Sequence, residues 1–341
     1  MKILYAIQGT GNGHLSRARE IIPVLQKKGE LDLLVSGIQA DISLPYPIKY
    51  KLKGLSFIFG KSGGVDLYKT FLKCDSTLLI KEIKKLPVEE YDLVLNDFEP
   101  VSSWACFFKD KPCVALSHQS AVSSPNSPKP NTTSFLGKFI LRYYAPATYF
   151  YGFHFDRYNE NIFLPVIREE VRKQKIEDRA HYTVYLPAYD DDRLIEILKK
   201  IKNVNWEVFS KHNKRPQQIK NVSVKPIDNE SFIKSMACSH GVLCGAGFET
   251  PAEALFLQKK LMVIPMKNQY EQHCNAAALG SIGVPVLPSL RKKYIPEIEA
   301  WIANGRKVVV NFPDETEKII DLILKKHLPI NHLQVSATTT A

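Results

Sequence analysis

A histidine stands where an apolar strand gives way to a glycine turn. Lys2 to Gln8 has strand composition, Gly9-Thr10-Gly11-Asn12-Gly13-His14 is the turn that leaves it, and Leu15 to Lys28 has the pattern of the helix that follows. A histidine at the carboxyl end of a strand can take a proton from a hydroxyl, because its ordinary pKa of about 6.5 leaves it mostly neutral near neutral pH. The setting does not suit a nicotinamide dinucleotide. A GxGxxG run from Gly9 needs glycine where His14 stands, and the next strand, Leu31 to Val35, ends in Ser36-Gly37 with no carboxylate for a ribose.

Further polar groups fall at other strand ends. Tyr91 to Asn96 is a buried strand by composition and runs into Asp97-Phe98-Glu99-Pro100, which makes Asp97 the candidate partner of His14. Glu99 is a second carboxylate at that edge, with helix capping as its plainer role. Pro112 to Leu116 ends in Ser117-His118-Gln119-Ser120, so His118 and Gln119 are acceptor-side candidates. The densest stretch is 240–276. Gly241 to Cys244 ends in Gly245-Ala246-Gly247, Thr250 and Pro251 suit a first helical turn, and Glu253 to Gln258 continue it. A helix that starts after a glycine turn is an anion site. Leu261 to Pro265 is a buried strand, and the polar run Asn268 to Asn275 is expected to be a loop suited to sugar hydroxyls.

The combination of Gly247, Thr250 and Glu253 with Glu271, Gln272 and Asn275-Ala276 resembles the donor-binding segment of GT-B nucleotide-sugar glycosyltransferases. These include UDP-glucuronosyltransferases, the lipid-linked N-acetylglucosaminyltransferase of peptidoglycan synthesis and the galactolipid synthases. The resemblance implies that Gly247 and Thr250, in a donor turn with Gly245 and Phe248, contact the diphosphate. It implies that Glu253 holds the ribose, that Glu271 and Gln272 hold the transferred sugar, and that Asn275 braces the loop. Members often have His where Gly245 stands and Asn where Glu249 stands. A carboxylate at Glu249 is therefore expected to point away from the phosphates or to change which donor fits.

The run Gly11-Asn12-Gly13-His14-Leu15-Ser16-Arg17 resembles the glycine loop of the same transferases and also the GxGHxxR opening of nucleotide-sugar hydrolases of sialic-acid-like pathways. It puts Gly11, Asn12, Gly13 and Arg17 in the cleft beside His14, with Asp97 orienting the imidazole and stabilising its protonated form. The resemblance implies an α/β fold of GT-B type, two Rossmann-like doubly wound domains with a cleft between them. The implied reaction moves a sugar from a UDP-sugar to an acceptor hydroxyl with inversion, without metal or cofactor; the acceptor is carbohydrate, lipid-linked or a small molecule. Hydrolysis of the nucleotide-sugar is the alternative, and a binding protein without turnover is the third reading.

The elements that position these groups set the expected domains: 1–165 for the acceptor, 166–312 for the nucleotide-sugar, a helix at 313–328 crossing back to the first, and a tail at 329–341. A length of 341 residues is comfortable for two cores, and 45% hydrophobic with 24% charged residues is ordinary for a globular chain. The net charge of +11 favours a phosphate-rich substrate or an anionic membrane surface; no nucleic-acid motif accompanies it. Six cysteines without a CxxC pair suggest reduced thiols. The short apolar start is no signal segment, so the expectation is cytoplasmic, with peripheral contact at the inner face of the membrane left open. Residues 49–73 are expected to be a mobile basic loop that could reach an acceptor. The stretch 135–155 has the composition of core helix and strand, with a lipid-touching patch as the sharper alternative. Asp191 or Asp192 is expected to cap a helix reaching Ile201, leaving no carboxylate pair for Mg²⁺ in Asp190-Asp191-Asp192.

Overall fold

The computed structural model describes residues 1–37, 44–55, 75–131 and 134–328. The glycine-rich part of the expected basic loop, Gly60 to Gly64, and the tail 329–341 lie outside the described residues. The start of that loop is a strand instead, because Tyr50–Leu52 pairs in parallel with Leu34 to Ser36.

Seven strands build the first sheet: β1 (Lys2–Gln8), β2 (Glu30–Ser36), β3 (Tyr50–Leu52), β4 (Leu93–Asp97), β5 (Cys113–Leu116), β6 (Tyr149–Phe153) and β7 (Ile162–Phe163). All neighbours are parallel, in the order β3-β2-β1-β4-β5-β6-β7. Parallel strands need crossovers that cover both faces, so the interior strand β1 is apolar from Ile3 to Ile7. Ile3 to Ile7 are all fully buried. Their alternation divides two cores. Ile3, Tyr5 and Ile7 pack with Leu15, Ala18 and Ile22 of the helix Asn12–Gln26, while Leu4 and Ala6 pack with Val101 and Ala105 on the other face.

The second sheet contains β8 (His181–Tyr185), β9 (Asn205–Ser210), β10 (Gln217–Ile219), β11 (Val222–Pro226), β12 (Gly241–Gly245) and β13 (Lys260–Ile264), in the order β10-β11-β9-β8-β12-β13. Only β10, an edge strand, is antiparallel to its neighbour. Among the parallel strands of each sheet the order reverses once, between β1 and β4 and between β8 and β12. Crevices at the carboxyl ends of strands flanking such a reversal are where open α/β sheets hold ligands. The turns carrying His14, Asp97 and Gly245 to Gly247 all leave these four strands.

The helix Thr316–His327 packs Ile319, Ile320 and Ile323 into the same core as Ile21 and Leu25. Lys28 pairs with Glu317 at 3.2 Å and Asp321 at 2.8 Å, and the Tyr151 hydroxyl meets His327 Nε2 at 2.9 Å. Among the described residues no helix is long and apolar enough to cross a membrane.

Candidate active site

The turn after β1 works because Gly11 takes φ 96°, a backbone conformation that side chains resist, and the chain enters the helix at Asn12. This places His14 in the first helical turn, with its side chain 12% exposed. Its Nδ1 lies 2.9 Å from Oδ1 of Asp97, the last residue of β4, which is fully buried. A carboxylate at Nδ1 selects the tautomer in which that nitrogen carries the proton, leaving the Nε2 lone pair for chemistry. The Gln119 side-chain amide nitrogen stands 3.4 Å from that Nε2, a long contact that an arriving hydroxyl can replace.

Arg17, one turn further along the helix, completes the knot. Its Nη2 donates to both Asp97 oxygens at 2.8 Å and lies 3.3 Å from His14 Nδ1. Burial alone would raise the Asp97 pKa, but the Arg17 charge and the hydrogen bonds from His14 and Arg17 outweigh it and hold the carboxyl below its ordinary range. Burial alone would lower the Arg17 pKa, but Asp97 and Glu249 outweigh it and the guanidinium is held charged.

The other Arg17 nitrogen reaches across the cleft. Nη1 donates to Glu249 Oε1 at 2.7 Å, an ion pair joining residues 232 apart in sequence. Glu249 opens the helix Glu249–Phe256 that follows the β12 turn, and a Cβ at Gly13 would stand 2.5 Å from its Oε2. The carboxylate therefore turns away from its own helix start and into the opposite glycine loop. A second tie crosses beside it: His118 places Nδ1 2.8 Å from Phe153 O and Nε2 2.8 Å from Asn275 Oδ1. Asn275 donates in turn to Ala246 O at 3.1 Å, and the His118 ring stacks on Phe248 at 4.0 Å.

The cleft between these walls has a volume of about 760 Å³ and is lined by Gly11, Gly13, His14, Arg17, His118 and Gln119 from one side and by Gly247, Phe248, Glu271 and Gln272 from the other. Glu271 Oε2 accepts from Gln119 Nε2 at 3.1 Å, and Gln272 Oε1 accepts from the Met266 N–H at 2.8 Å. Asn12 opens the first helix, Thr250 is the second residue of the Glu249 helix, Gly245 ends β12 and Asn275 is fully buried. None of those four lines the cleft.

Several expectations are corrected. Glu99 is not a cleft carboxylate: it is fully buried as the N-cap of the helix Pro100–Phe108, accepting from the Val101 and Ser102 N–H groups and from the hydroxyls of Ser36 and Ser102. Glu253 does not line the cleft. It is buried, and Arg168 grips both its oxygens, Nε on Oε1 at 2.5 Å and Nη2 on Oε2 at 2.8 Å. The expected polar loop 268–275 becomes, from Tyr270 on, the helix Tyr270–Ser281, whose buried face carries Tyr270, Cys274 and Ala278. Asp190, not Asp191 or Asp192, caps the helix Asp191–Leu198, and Asp191 accepts from the Ser210 hydroxyl at 2.8 Å. Among the described residues no three His, Cys, Asp or Glu gather as metal ligands would.

Residues absent from the sequence reading also line the cleft. Phe98 takes φ 57° directly after Asp97, strain of about 1–3 kcal/mol in a bulky residue, and its ring lies 4.9 Å from that of Tyr144. Leu136, Ile140 and Leu141 reach the cleft from the helix Phe135–Tyr143, which approaches Tyr270 closely because residue 137 is glycine. This helix has no buried residue, contrary to its core assignment. The i, i+4 spacing of Leu136 and Ile140 was the available signal.

Two Rossmann-like domains facing each other across such a cleft define the GT-B fold. Residues 1–295 match the profile of glycosyl transferase family 1, and the chain belongs to that family. Solved structures with this fold include MurG of Acinetobacter baumannii, at 13% identity and TM-score 0.54 over 95% of this chain and 99% of that one. The glycosyltransferase of kitacinnamycin aligns with TM-score 0.58 at 13% identity, over 96% of this chain and 99% of its own. Phytolacca americana UGT2, complexed with UDP-2fluoro-glucose and pterostilbene, aligns with TM-score 0.57 at 11% identity, over 96% of this chain and 94% of that chain. No curated protein matches the sequence.

Proposed function

We propose that this glycosyltransferase moves a sugar from a UDP-sugar to an acceptor hydroxyl with inversion, using His14 as the base. The observation that carries the reading is the His14–Asp97 pair at 2.9 Å, with His14 lining the cleft and only a 3.4 Å contact at its Nε2. As Nε2 takes the hydroxyl proton, the oxygen attacks the anomeric carbon and the bond to the diphosphate breaks. The imidazolium then sits against Asp97, whose depressed pKa keeps it ionised.

The second domain supplies the donor groups in this account. Gly247 and the start of the Glu249–Phe256 helix meet the diphosphate, while Glu271 and Gln272 meet the sugar hydroxyls. Charge developing on the leaving diphosphate falls to backbone N–H groups and Arg17, so the mechanism is metal-independent. Glu253 meets the ribose only after exchanging Arg168 for it. The acceptor enters over the Phe135–Tyr143 helix, where Phe135 is 86% and Phe139 61% exposed beside Lys138 and Arg142, a composition that suits peripheral contact with anionic lipid at the cytoplasmic face.

Thermal-shift screening against UDP, CMP, GDP and dTDP sugars, with NAD alongside, tests the donor assignment. Stabilisation by UDP-sugars alone is expected, and the anomeric proton coupling of the product then reports inversion. Free sugar appearing at full rate without an acceptor would replace transfer with hydrolysis.

A further inference from the structure

A second cavity, of about 560 Å³, opens behind the helix Phe135–Tyr143 and reaches the carboxyl edge of the first sheet. Asn96, Ser117 and Tyr151, all buried, line its deep end. Phe98, Leu141 and Tyr270 line this chamber and the catalytic cleft alike, so the two share a wall. The volume lies within the range of sites for small organic ligands, roughly 300–1,000 Å³.

Its lining is one-sided in charge. Lys129, Lys138 and Arg142 face no carboxylate among the described residues that line the chamber. Lys138 and Arg142 stand four apart on one helix, so both project over the same rim. Lys129 is held at the mouth by the carbonyls of Val122 and Ser124, to which its Nζ donates at 2.5 and 2.7 Å. The rest of the wall is largely apolar, with Val122, Phe150 and Ile162. Asn161 also lines it, and its buried Oδ1 has no partner among the described residues, leaving an acceptor for a ligand hydroxyl.

We propose that this chamber binds the acceptor and that the acceptor is an amphipathic anion, its apolar body against Val122, Leu141 and Phe150 and its acidic group at Lys138 and Arg142. This rests on the transferase reading: the hydroxyl passes the shared wall to reach His14. A guanidinium and an ammonium on one rim recognise a phosphate or carboxylate, and a lining without carboxylates gives a cationic body no counter-charge.

Calorimetric titration of the full chain with octyl phosphate, octyl glucoside, octyltrimethylammonium and inorganic phosphate, each below micelle formation, tests the assignment, with UDP affinity measured alongside. Octyl phosphate is expected to bind at least tenfold more tightly than the other three. The exposed double substitution Lys138→Glu/Arg142→Glu, and separately Ser123→Trp at the exposed mouth, are each expected to weaken it at least tenfold while UDP affinity stays unchanged. Equal affinity for the charged and neutral octyl compounds, or for inorganic phosphate alone, overturns the amphipathic anion. So does binding that survives Ser123→Trp but is lost in Phe135→Ser/Phe139→Ser, since the amphiphile then sits on the outer face of the helix. If octyl phosphate follows the expected pattern while no UDP or UDP-sugar binds, the transferase reading and the acceptor role fail together, and a site for an amphipathic anion is what stands.

Discussion

The turns after β1 and β12 face each other across the cleft and are built oppositely. On the β1 side His14, Asp97 and Arg17 form a closed hydrogen-bonded knot around one buried carboxylate, fixed before any ligand arrives. On the β12 side Gly247 and the Glu249 helix offer backbone, and the two acidic side chains nearest them are engaged elsewhere, Glu249 with Arg17 and Glu253 with Arg168. For the proposed reaction this means a preorganised base, which a proton transfer requires. The β12 edge has partners to exchange, and under the proposed function a donor arriving there would exchange them.

Breaking the knot is expected to have the largest effect on the fold. Asp97→Asn leaves the buried Arg17 charge with half its support, and loss of one partner from such a pair costs about 3–5 kcal/mol. The sign with pH follows from the depressed Asp97 pKa. Its stabilisation is present above the ordinary aspartate value of about 3.9 and is lost as pH falls through the lower folded value. Urea unfolding from pH 7 to well below the ordinary aspartate value should show the cost of Asp97→Asn shrinking as the parent's Asp97 takes up its proton; a cost that does not change with pH contradicts an ionised Asp97.

Arg168→Gln is expected to come next, near the lower end of that same range at about 3 kcal/mol, because Glu253 loses a two-point partner in a buried site. UDP should raise the melting temperature of this variant more than that of the parent, since the ribose hydroxyls restore partners to Glu253. An unchanged UDP shift would separate Glu253 from the donor. Glu249→Gln is the mildest. Its side chain is 26% exposed, so removing its repulsion toward a diphosphate should tighten UDP binding by only about two- to fivefold, less at high salt. Weaker binding would make the Glu249 carboxylate itself part of the donor site.

Strand ends and glycine turns were legible because parallel strands are apolar throughout and their polar exits stand out, as at Gln8, Asp97 and Ser117. Local chemistry misled where residue type competed with periodicity. The run from Asn268 to Asn275 is rich in amides, yet Tyr270, Cys274 and Ala278 recur every four residues and decide for a helix. Asp190 wins the cap because the helix starts one residue earlier than the acidic cluster suggests. The partners of Glu99, Glu249 and Glu253 include residues 63, 232 and 85 positions away, and nothing local marks Ser36, Arg17 or Arg168 as their counterparts. A carboxylate at a sheet edge can be counted from sequence; whether it faces ligand or cation is fixed by tertiary packing.

The most direct test of the central claim is UDP release from a stabilising UDP-sugar, with an acceptor panel that includes anionic amphiphiles, by the parent and by His14→Ala, with UDP affinity measured for both. The account predicts turnover that depends on added acceptor and falls by about 10²–10⁴ in His14→Ala while UDP affinity holds. Parental turnover in a His14→Ala protein that binds UDP normally would contradict it.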